Sequence, residues 1–308
     1  MLLFIFIDGI GVGADQSANP FSVATLPGFA QLCGGKMVAG RRLDEPGRIF
    51  RPIDAGLGIA GLPQSATGQT TLFTGVNGPQ LEGMHISSFP TRALRQAIAE
   101  HSFLKRARAA GRSVAFANAY SPHYWQLASA RRNRHSVSTW TNLAADLPFR
   151  DFGHLARGEA VYWDITHELA NASYAPELSP IDPREAGRRL ARLSAAHDLV
   201  LYETFVTDLA GHRRIPWTPA ETLARIDAML LGVLEAIDPA ATLLITSDHG
   251  NLEDPDTKGH TYNPVPLIVH GPCAAHFGDV NDLTGVVPAI FRCLSIEPAP
   301  ASDPPSHS

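Results

Sequence analysis

A chain of 308 residues accommodates one large α/β domain, or a core with one insert, and its 44% apolar and 18% charged residues exclude a disordered chain. The net charge of −5 argues against a basic face built for nucleic acid. Three cysteines, Cys33, Cys273 and Cys293, are too few and too scattered for a disulfide framework, so free buried thiols in a reducing, cytoplasmic setting are expected.

Residues 1–7 (MLLFIFI) form an unbroken apolar run of the kind a parallel strand needs when it is buried on both faces. The run has no basic flank and no small-residue cleavage site, and Asp8 interrupts it, so it reads as a strand and not as a secretory signal. No other stretch approaches the roughly 18 apolar residues that span a bilayer, and no membrane partner is expected. A glycine-rich turn follows at 9–13, and residues 14–55 read as loops with short helical patches such as 29–32. Ser65–Thr74 enters a helix, residues 91–110 carry helical spacing up to Gly111, and 113–119 reads as a strand that ends near Asn118. Residues 120–180 break the alternation, concentrate aromatic and basic side chains, and read as a small inserted cap. Regularity returns with a helix at 183–196, a strand at 198–206, a helix at 219–237, strands at 242–247 and 265–270, and a helix near 284–293. The Pro/Ser-rich stretch 297–308 is expected to be a frayed tail. The alternation predicts an α/β fold: a mostly parallel central sheet with helices on both faces, formed by 1–119 and 181–296.

In such sheets ligands gather at the carboxyl ends of strands, and chemistry-bearing side chains fall at predicted strand ends. Asp8 closes the first strand, and Asp248 and His249 directly follow 242–247. An adjacent Asp and His combine a hard oxygen with an imidazole, a mix suited to Zn or Mn. Asp208 and His212 are four apart, which on a helical turn points both the same way. His260 stands in a polar loop before the strand 265–270. Taken singly, each has an ordinary explanation as a cap, a turn residue or a surface histidine; the joint occurrence is what suggests metal. Ser65 opens a helix in a segment that is not a G-x-S-x-G elbow, so metal coordination is the route by which its hydroxyl would be activated. Amides next to it, helped by the helix dipole, could meet an anion; an N-cap role for Ser65, and competition from Thr67, are the alternatives.

With IFIDGIGVG, QSATGQTTLFTG, VTDLAGH, TSDHGNLED and HTYNPVP in this order, the chain resembles the alkaline phosphatase superfamily, in particular the branch of cofactor-independent phosphoglycerate mutase and phosphopentomutase. The resemblance covers residues 1–80 and 198–270. It implies two divalent metal ions, Mn or Zn. Asp8, Ser65, Asp248 and His249 would hold one, and Asp208, His212 and His260 the other. Ser65 would be the transiently phosphorylated residue, with Gly68 and Gly75 placed as in the family. Two departures stand out: Gln69 replaces a usual histidine, and residues 120–180 replace the mutases' large second domain.

A short insert is poorly suited to holding and reorienting a product, so hydrolysis of a small phosphomonoester is the expected reaction. An intramolecular phosphomutase is the alternative, followed by hydrolysis of another phosphate, sulfate or phosphonate ester, or by a non-catalytic metal-binding role. Arg131, Arg132 and Arg134 are candidate contacts for an anionic substrate group, although such a run is ordinarily a solvated face. Asn118 is a further candidate phosphate contact. The expected partner is a small phosphorylated metabolite; an oligomer is not predicted.

Overall fold

Leu2–Ile7 (β1) is a fully buried inner strand of one seven-stranded sheet in the computed structural model, which describes residues 1–130, 134–257 and 259–297. The other strands are Leu43–Glu45 (β2), Arg48–Ile53 (β3), Val114–Phe116 (β4), Leu199–Thr204 (β5), Thr242–Thr246 (β6) and Val265–His270 (β7), in the order β2-β3-β7-β6-β1-β5-β4. β1 pairs in parallel with β5 and β6, and β4 in parallel with β5. The expected parallel core is therefore the block β6-β1-β5-β4. The remaining three pairings, β6–β7, β7–β3 and β3–β2, are antiparallel. The link 247–264 carries no helix among its described residues, so the chain folds straight back beside β6 and makes no parallel crossover.

The hairpin β2–β3 lies where loops were expected. Arg48, Arg51 and Pro52 obscure the alternation of β3, and proline is tolerated only where no ladder N–H is required. Pro52 faces Pro266 across the pair, a register that asks neither residue to donate. The predicted helix 91–110 is two helices, Arg92–His101 and Phe103–Ala109. Buried Ser102 separates them and caps the second through Lys105 N–H at 3.3 Å.

Side chains of β1 alternate between two cores. Leu2, Phe4 and Phe6 pack with Phe73, Phe103, Val137 and Ile290 on one face. Leu3, Ile5 and Ile7 pack with Phe29, Leu190, Ile226 and Leu230 on the other. Helices thus cover both faces. On the second face the helices Pro183–Ala195 and Pro219–Ala236 cross so closely that a Cβ on Gly187 would overlap the Met229 carbonyl, and one on Gly232 the Arg184 carbonyl. Backbone cannot retreat from such an overlap without parting the helices. Gly187→Ala is therefore expected to cost about 3 kcal/mol of stability, the upper range for overpacking, read as a lowered denaturation midpoint; an unchanged midpoint would contradict this crossing.

Within 120–180, Val137 and Ala145 belong to the first sheet-face core, whereas Leu155, Ala160, Tyr162, Ala170 and Leu178 gather with Ala119 in a small cluster of their own. Bridges Asn118–Val161 and Ala119–Arg150 tie this segment to the end of β4. Cys273 and Cys293 pair as a disulfide with Cα atoms 5.3 Å apart, which corrects the expectation of three free thiols; only Cys33 is free and buried. The pairing was hidden in sequence because a 20-residue separation says nothing about proximity. No described helix is long and apolar enough to cross a membrane.

Candidate metal centre

The parallel block brings the ends of β1, β5 and β6 to one edge of the sheet, and antiparallel β7 begins at that same edge. Asp8 leaves β1, Asp248 and His249 leave β6 after Ser247, and the helix Val206–Gly211 beyond β5 carries Asp208 with His212 at its end. His260 lies in the loop that enters β7, not at a strand's carboxyl end. Ser65 is the first residue of the helix Ser65–Thr74, whose N-cap Gln64 makes no side-chain cap bond.

All seven side chains meet. Ser65 Oγ is 3.0 Å from His249 Nε2, which lies 3.3 Å from Asp8 Oδ1 and 3.5 Å from Asp248 Oδ2. Beside them, His212 Nε2 is 3.3 Å from both Asp208 Oδ1 and His260 Nε2, and His260 Nε2 is 3.5 Å from Asp208 Oδ1. The rings of His249 and His260 stack with centroids 3.6 Å apart, so the two groups adjoin. Ligands held 2.0–2.1 Å from one tetrahedral ion lie about 3.3–3.4 Å from each other, and the spacings above match that figure. Asp8 Oδ1 is buried without a hydrogen-bond partner, a vacancy in bonding that a cation would fill. The donor set therefore fits two divalent ions.

Burial and the neighbouring Asp248 charge hold the Asp8 carboxyl well above the usual range. Burial opposes the charging of His249, but Asp248 and Asp8 outweigh it and push its pKa up to about 10. Burial likewise opposes ionisation of Asp208, yet the His260 hydrogen bond and the His249 charge bring it down to about 2. The crowded carboxylates thus demand positive charge, from protons or from metal.

Supporting residues surround the seven; sequence reading had marked Gln69 only as a departure from the family pattern and had not singled out Asn251 or Glu253. Gln69 Nε2 donates to Asp8 Oδ2 at 3.0 Å and to Asp248 Oδ2 at 3.1 Å, clamping two carboxylates from opposite ends of the chain. Asn251 Nδ2 donates to Asp208 Oδ1 at 2.7 Å. Buried Glu253 accepts from the amides of Gly11 and Asn251, both at 2.8 Å, and so ties the turn after β1 to the turn after β6. His260 Nδ1 is 2.8 Å from the Pro63 carbonyl, which turns Nε2 inward. Asn251 and Glu253 sit inside TSDHGNLED, and that placement was the available signal.

Other expectations fare differently. The amides of Ala66 and Thr67 both donate to the Ile86 carbonyl, so they are not free to meet an anion. The Thr67 hydroxyl donates to the Gln64 carbonyl and is buried, whereas Ser65 lines the open pocket. The Asn118 amide is engaged with the Glu203 backbone, donating to its carbonyl and accepting from its N–H, both at 2.8 Å. Asn118 lines a neighbouring cavity instead of the one at Ser65. Arg134 is exposed and its guanidinium lies over the Phe89 ring at 5.1 Å. Arg131 and Arg132 fall outside the described residues.

A family model described as Metalloenzyme superfamily matches residues 182–297. The 2,3-bisphosphoglycerate-independent phosphoglycerate mutase of Cereibacter sphaeroides is 32% identical over 150 residues, which are 45% of this chain and 29% of that protein. The alkaline phosphatase from the Antarctic bacterium TAB5 superposes with a TM-score of 0.55 at 13% identity, over 96% of this chain and 98% of that one. The core has the fold of that alkaline phosphatase. The Leishmania mexicana phosphoglycerate mutase shares the fold as well, with a TM-score of 0.51 at 12% identity over 99% and 97% of the two chains. This chain spans under a third of the length of the curated mutase it matches. The stretch matched by the Metalloenzyme superfamily model contains Asp208, His212, Asp248, His249 and His260.

Glu203, at the end of β5, is a further buried acid beside this centre. Burial, eased by the Ser138 hydroxyl and reinforced by the charge of Asp248, pushes its carboxyl up to about 7 from 4.5. An acid with a raised pKa in the fold is ionised earlier in the unfolded chain, so stability declines as pH rises from about 4.5 to 7. Glu203→Gln removes that loss. In metal-free protein the variant is expected to match the wild type near pH 4 and to exceed it by about 3 kcal/mol at pH 8. A pH-independent difference in denaturation midpoints would show that Glu203 titrates normally.

Proposed function

We propose that the chain hydrolyses a small phosphomonoester through a phosphoserine on Ser65, using two divalent ions of the Mn or Zn kind. The observation that carries this reading is the position of Ser65 Oγ, 3.0 Å from His249 Nε2 and next to two carboxylates that converge from β1 and β6. Asp8, Ser65, Asp248 and His249 would hold one ion, and Asp208, His212 and His260 the other. The ions would supply positive charge to lower the serine pKa and to neutralise phosphoryl oxygens. Gln69 and Asn251 keep the carboxylates oriented, and Arg214 on the pocket wall offers a cation to the substrate.

Hydrolysis is favoured over mutase chemistry by the surroundings of Ser65. Its pocket, of about 530 Å³, opens to solvent, and from residues 120–180 only Ser136 reaches its described wall. A mutase must hold its product away from water until the return transfer. The sequence similarity to mutases supports phosphomutase as the second reading, with soluble cytoplasmic action on a phosphorylated metabolite in either case. The test is release of inorganic phosphate from an aryl phosphate by protein loaded with Mn or Zn. Phosphoryl exchange between positions of a glycerate or pentose phosphate, without release, would replace the hydrolase reading with the mutase one.

A further inference from the structure

A second cavity of about 330 Å³ adjoins the pocket of the metal centre, and Ser136, Glu203 and Phe205 line both. Its walls are ring surfaces: Tyr120, Tyr124, Tyr162, Trp163, Tyr174 and Phe205. We propose that this cavity is the leaving-group subsite, selecting phosphomonoesters of bulky, uncharged, ring-bearing alcohols over those of small polyols or acids. The proposal rests on the phosphatase reading above for the position of the phosphoryl group.

The chemistry of the wall supports that choice. The phenol groups are already engaged: Tyr162 and Tyr174 bond to each other, Tyr120 OH lies 2.8 Å from Thr139 Oγ1, and Tyr124 OH lies 3.0 Å from His135 Nδ1. The Asn118 amide is occupied by the Glu203 backbone. Ring faces and edges therefore meet the occupant, and aromatic surface favours apolar or stacked groups. Among the described lining residues there is no lysine or arginine, and the acid Glu203 stands at the passage. A carboxylate or a second phosphate would lose its hydration against ring faces, with His123, itself stacked on Tyr174, as the one basic side chain of the described lining, which disfavours glycerate-like substrates.

The test compares 2-phenylethyl and 2-(1-naphthyl)ethyl phosphate with propyl phosphate, whose alkoxide leaving groups are chemically similar, so intrinsic reactivity does not separate them. The ring-bearing esters are expected to show at least about tenfold higher kcat/KM. Leu127 lines the cavity and is 39% exposed, so Leu127→Glu places a charge there without disturbing the core. It is expected to bring the ratio within about threefold of unity by lowering kcat/KM for the ring-bearing esters. Calorimetric titration of metal-free protein with 2-(1-naphthyl)ethanol supplies a readout independent of catalysis, with binding at least about tenfold tighter than propanol and weakened by Leu127→Glu. Naphthyl binding without phosphate release from any ester would defeat the phosphatase reading and keep the pocket. Phosphate release with no preference for rings, or naphthyl binding no tighter than propanol, would overturn the pocket.

Discussion

Replacing Ser65 with alanine is expected to reduce metal-dependent phosphate release by about 10⁴-fold or more, the order seen when a nucleophile is deleted. The fold should tolerate the change. Ser65 does not cap its helix, and its hydroxyl bonds only toward His249, whose buried Nε2 keeps the Asp8 and Asp248 carboxylates at 3.3 and 3.5 Å when the attacking oxygen is removed. The wild type, but not the variant, should also yield a trapped phosphoserine on rapid acid quench, detectable by mass spectrometry. Residual activity within about tenfold of wild type would mean that a water attacks directly, and Ser65 would then be demoted to a ligand.

Asp208→Asn is expected to lower bound metal from two ions per chain to about one and to cut activity by about 10³-fold. Asp208 Oδ1 is the point at which His212, His260 and Asn251 meet, at 3.3, 3.5 and 2.7 Å. An amide in its place keeps the shape but removes the charge that balances a cation. Asp8→Asn should empty the other position instead, since Asp8 Oδ1 has no other partner. Elemental analysis after dialysis distinguishes the two variants. Equal loss of both ions from either one would indicate a single coupled site and overturn the two-site assignment.

Beyond the sheet edge, the metal centre has its own surroundings. Here the surroundings consist of a short segment whose helix Val137–Ala144 is anchored in the sheet-face core and whose remaining residues wrap a small cluster beside the cavity of aromatic rings. If leaving-group selection resides in that cavity, this segment acts on specificity while the sheet edge supplies the reaction.

What could be read from the sequence follows local rules. β1, β5 and β6 announce themselves because a strand buried on both faces reads as a near-continuous apolar run. The helices Pro183–Ala195 and Pro219–Ala236 do so because helical periodicity and caps such as Asp182 and Thr218 are encoded within a few residues. Donor chemistry is equally local, since Asp, His and Ser carry the same ligand atoms wherever they stand. Tertiary structure alone decided the rest. Asp8 and Asp248 are 240 residues apart and become neighbours through the β1–β6 register, and Gln69 earns its role only once both stand beside it. The same holds for the β2–β3 hairpin, which needs β7 as a template, and for the Cys273–Cys293 pair. Glu203 is the sharpest case. Nothing in LYET marks its glutamate as special, and only burial between a metal centre and a cavity of aromatic rings raises its proton affinity and sets it at the passage between them. Local sequence specifies which groups are present; long-range packing specifies the distances and the dielectric that give them chemistry.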